Sequence, residues 1–104
     1  MSGLKSRAID EVQKIPGVEA RHSAVAGGSA FFYLGKEFAH FHDDNELDLR
    51  LTKKVIKTQG LTHPSGSLHH PNRSPNSPWI EIRFHESADV AHVVRLVRLA
   101  VAEL

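Results

Sequence analysis

The stretch Phe31–Leu51, FFYLGKEFAHFHDDNELDLRL, decides the fold, because it holds three strand-like runs separated by two turn signals. Gly35-Lys36 reads as the centre of a two-residue type II′ hairpin, which pairs Leu34 with Glu37, Tyr33 with Phe38 and Phe31 with His40. Asp43-Asp44-Asn45-Glu46 reads as the second turn, pairing His42 with Leu47, His40 with Leu49 and Phe38 with Leu51. Side chains alternate along a strand, so this register predicts one face of Phe31, Tyr33, Phe38, His40, His42, Leu47, Leu49 and Leu51. The other face receives Phe32, Leu34, Glu37, Ala39, Phe41, Asp48 and Arg50. On this reading His40 and His42 share the apolar face that meets the helices, and point at the core or at a pocket leading from it.

Toward the N-terminus, Leu4, Ala8, Val12 and Ile15 form one helical stripe that Pro16-Gly17 stops. Gly27-Gly28 reads as a turn between a weak first strand and a stronger second one. Toward the C-terminus, Thr52 is the expected N-cap of a short helix that carries Val55 and Ile56 inward and ends at Gly60. A loop rich in proline and serine, residues 62–78, precedes the alternating strand WIEIRF. Ser87 is the expected cap of a last helix with Asp89 in its first turn and an apolar stripe of Val90, Val93, Val94, Val97, Val101 and Leu104. The order predicts one α+β domain over residues 1–104: an antiparallel β-meander sheet, N- and C-terminal helices packed on one face, and a short helix after the second hairpin.

The 40% hydrophobic and 24% charged fractions are those of a globular chain, and no apolar run approaches the ~18 residues of a membrane helix. Without cysteine there are no disulfides, thiolate nucleophiles or cysteine-held metals, and a cytoplasmic location is expected. A net charge of +1 with no long basic run argues against nucleic acid as a partner.

The run Glu37-Phe38-Ala39-His40-Phe41-His42, followed by LDLRL, a short helix ending at Gly60, and His63-Pro64, resembles the luciferase-domain family, formerly a domain of unknown function. The resemblance covers about residues 18–104 and implies no transferable catalytic residue.

Two histidines at alternate strand positions lie about 6.6 Å apart along the chain, within reach of one ion. His40, His42 and His63 are therefore the candidate metal ligands, with His69 a further donor and a divalent ion such as zinc the candidate cofactor. Hydrogen-bonded histidines with no metal are the competing and commoner arrangement. Trp79 joins His40, His42 and His63 as a candidate ligand contact. Ser65 and Ser67 near His63 lack a nucleophile elbow, AGGSA at residues 26–30 lacks phosphate-loop spacing, and Arg73, Arg95 and Arg98 read as solvated cations. The favoured function is a small binding domain whose histidine-containing pocket receives a small molecule or protein partner; the alternative is a histidine-dependent, metal-assisted enzyme. Partly apolar sheet faces and an exposed Leu99 add the expectation of a homodimer.

Overall fold

In the computed structural model, which describes residues 3–22, 28–61 and 77–104, the chain forms α1 (Leu4–Val12), β1 (Val18–His22), β2 (Ser29–Tyr33), β3 (Lys36–Asp43), β4 (Glu46–Arg50), α2 (Lys53–Thr58), β5 (Trp79–Arg83) and α3 (Ser87–Ala102). The five strands pair antiparallel in the order β1-β2-β3-β4-β5, a meander in which every neighbour in sequence is a neighbour in space. One face of this sheet, with Phe31, Ala39, Phe41, Leu47, Leu49, Ile80 and Ile82, packs in a single core with Val12 of α1 and Val93, Leu96, Val97 and Ala100 of α3. The α+β class and the placement of the helices agree with the sequence.

The register does not, and the reason lies in two irregularities. Tyr33 pairs with Lys36, so the turn centres on Leu34 and Gly35, with φ of +48° and +88°, a type I′ geometry in place of the expected type II′. Between Phe31 and Phe32 the register then shifts: Phe32 faces Glu37, whereas Phe31 faces Ala39 and Ala30 faces His40. Phe38 is thus the extra residue of a β-bulge and is fully buried beside Ala39 in the core. From that point the alternation along β3 is inverted relative to the sequence-based register. Ala39 and Phe41, expected on the outer face, are core residues, and His40 and His42, expected against the helices, lie on the opposite face. A second bulge at His42 pairs Phe41 with Leu47 and Asp43 with Glu46, so His40 opposes Asp48 and not Leu49. Asn45 in that turn donates through Nδ2 to the Phe84 carbonyl at 2.9 Å and accepts from the Phe84 amide at 3.0 Å, which ties the turn to the end of β5.

Helix ends also differ in detail. α1 stops at Val12, three residues before the expected end, although Ile15 still reaches the core. Thr52 caps α2 as expected, its hydroxyl accepting from the Val55 amide at 3.3 Å, and Val55 and Ile56 pack partly against the core. α3 is capped by Glu86 and not by Ser87: Glu86 and Asp89 form a reciprocal capping box, and Asp89 Oδ2 accepts from the His85 and Glu86 amides at 3.0 and 3.1 Å. Leu99, expected to be exposed, packs partly against the core, and Leu104, placed on the apolar stripe, is exposed. The 27-28 turn and the 62–78 loop lie largely outside the described residues.

Candidate functional site

Two short motifs carry a single acid between buried leucines or isoleucines: Leu47-Asp48-Leu49 in β4 and Ile80-Glu81-Ile82 in β5. Strand alternation sends both acids to the outer face, and the register sets Asp48 directly opposite Glu81. Each is only 1% exposed. Neighbouring like charges out of water oppose each other and call for positive charge close by. Arg83 supplies part of it, with Nε 3.0 Å from Glu81 Oε2 and 3.9 Å from Glu46 Oε1.

The histidines meet Asp48 from the other side. His40 Nε2 is 3.5 Å and His42 Nε2 3.9 Å from the same carboxylate oxygen, Asp48 Oδ2. The two imidazoles stand edge to face, centroids 5.0 Å apart, and the Trp79 ring lies 5.4 Å from His40. On its remaining side His40 presents Nδ1 to Glu37, 3.7 Å from Oε2. These separations are at or beyond the limit for direct hydrogen bonds. They are close to the edge of a coordination tetrahedron, ~3.3 Å for metal–ligand bonds of 2.0–2.1 Å. One donor atom from each of His40, His42 and Asp48 lies within 4.8 Å of the others, a grouping able to hold a metal ion.

Of the sequence-predicted residues, His40, His42 and Trp79 come together, whereas His63, the third expected ligand, and His69 lie outside the described residues. Asp48, Glu81 and Glu37 complete the site and were not singled out from the sequence. The signal for Asp48 and Glu81 is the repeated apolar-acid-apolar triplet, whose two copies become neighbours only once β4 and β5 are paired; Glu37, between Lys36 and Phe38, carries no such signal.

The luciferase domain family model matches residues 35–100, more than half of the chain, and the chain belongs to that family. No curated protein and no solved structure matches it significantly. No helix among the described residues is long and apolar enough to cross a membrane.

Proposed function

We propose that this luciferase domain is a binding module for a divalent transition-metal ion, zinc foremost, held by Nε2 of His40, Nε2 of His42 and a carboxylate oxygen of Asp48. The observation that carries the reading is the convergence of two imidazole nitrogens on one buried carboxylate oxygen at 3.5 and 3.9 Å. Two imidazoles and one carboxylate suit zinc and its first-row neighbours, whereas calcium and magnesium favour all-oxygen sets. Three protein ligands leave a coordination position for water or for an oxygen or nitrogen of an incoming small molecule. The favoured binding function and the metal-assisted alternative thus meet at one site, with Trp79 at its border.

The competing reading is a metal-free network in which the two imidazoles and Asp48 satisfy one another without an ion, and it is favoured by the same convergence on Asp48 Oδ2. Calorimetric titration of chelator-treated protein with Zn²⁺ separates them, followed in parallel by the fluorescence of Trp79, the single tryptophan. The metal reading expects saturation at one ion per chain, loss of that binding in His42→Ala and Asp48→Asn, and no response to Ca²⁺ or Mg²⁺. Absence of saturable Zn²⁺ binding leaves the metal-free network.

A further inference from the structure

We infer that Glu37 is a positioning residue for the metal ligand His40, an inference that rests on the metal reading above. Glu37 and His40 are three residues apart, a spacing that sends side chains to opposite faces of a regular strand. The bulge at Phe38 cancels that alternation and brings both to the outer face, where Glu37 Oε2 stands 3.7 Å from His40 Nδ1. Glu37 Oε1 and His40 Nδ1 are both buried, and neither has a hydrogen-bond partner among the described residues. Buried polar atoms without partners are rare enough to need a reason.

Metal ligation supplies one. When Nε2 of a neutral imidazole binds an ion, its single proton resides on Nδ1, and a carboxylate beside Nδ1 accepts it. Closing the 3.7 Å gap by about 1 Å gives a charge-assisted bond of ordinary length. Such an outer carboxylate fixes the tautomer, orients the ring and strengthens the nitrogen as a donor. The bulge therefore does two things at once: it seats Phe38 in the core and delivers the partner that His40 needs.

The test uses the full chain and Zn²⁺. Nitrogen NMR of ¹⁵N-histidine-labelled protein reads the His40 tautomer in the Zn²⁺-loaded state, and calorimetry reads Zn²⁺ affinity for the parent, Glu37→Gln, Glu37→Ala and the control Glu19→Gln. Glu19 is exposed on β1 and paired with Arg21, so its variant removes the same charge away from the site. The expected results are Nδ1–H on His40, affinity about 10–100-fold weaker in Glu37→Ala, a smaller loss in Glu37→Gln because the amide oxygen still accepts, and no change in Glu19→Gln. A His40 that carries its proton on Nε2 overturns the inference and removes Nε2 of His40 as a ligand atom, whereas a Glu37→Ala variant of parental affinity overturns the inference and leaves the metal reading intact. A parent that binds no Zn²⁺ overturns both readings. If Glu37→Ala does not fold, the tautomer of the parent decides alone.

Discussion

Leu34 holds a backbone conformation, φ +48°, that an L side chain enters at a cost of roughly 1–2 kcal/mol, and its side chain is 76% exposed, so little packing offsets that cost. Asparagine tolerates this region and is the favoured first residue of a type I′ turn. Leu34→Asn is therefore expected to stabilise the fold by about 0.5–1 kcal/mol, seen as a higher urea midpoint at unchanged slope. A destabilised variant would contradict the turn assignment, because a type II′ turn centred on Gly35-Lys36 gives asparagine at 34 no advantage. Gly17 is the opposite case. Its φ is +86°, and a β-carbon there falls 2.8 Å from Cε1 of the Tyr33 ring, so Gly17→Ala combines backbone strain with a clash. A loss of about 1–3 kcal/mol in the same measurement is expected, and a neutral result would mean that Tyr33 moves freely.

The last helix makes the sharper comparison between what sequence suggests and what geometry selects. Serine before an apolar run is the usual cap, yet the Ser87 hydroxyl accepts from Arg7 Nη1 at 2.8 Å on the surface, while Asp89 receives two backbone amides. Asp89→Ala should cost about 1–2 kcal/mol and Ser87→Ala under about 0.5 kcal/mol, measured by chemical denaturation; equal losses would return the capping role to serine. The strands tell the same story at longer range. Every strand, both hairpins and the three helices could be read from periodicity and turn residues, because those signals are local. The face on which His40 and His42 lie could not. A single extra residue, Phe38, inverts everything after it along β3, and nothing in FAHFH distinguishes a bulged phenylalanine from a paired one. What selects the bulge is distant: Phe38, Ala39 and Phe41 all find room in the core against α1 and α3, whereas the unbulged register would have buried two imidazoles there. The same displacement hid the site, since Asp48 and Glu81 join the histidines only after the register is corrected.

The candidate ligands stand on β3 and β4, so an ion there would link two adjacent strands of a five-stranded sheet, beside the β5 acid that opposes Asp48. Folding brings these groups together and the unfolded chain separates them, so binding free energy adds to folding free energy. At a free ion concentration 100-fold above the dissociation constant the gain is ~2.7 kcal/mol, a large fraction of the ~5–15 kcal/mol typical of domain stability. For a chain of this length that corresponds to a rise in thermal midpoint of roughly 10 °C or more. Eight histidines in the unfolded chain compete weakly for the same ion and pull the rise below this ideal. Thermal unfolding of the chelator-treated chain with and without Zn²⁺ checks the prediction, with His42→Ala as the variant that should show no rise. His85→Ala, which removes an exposed histidine beyond the end of β5, is the control that should keep it. An equal rise in both variants would assign the effect to scattered surface histidines, and the coupling of β3 to β4 through one ion would be wrong.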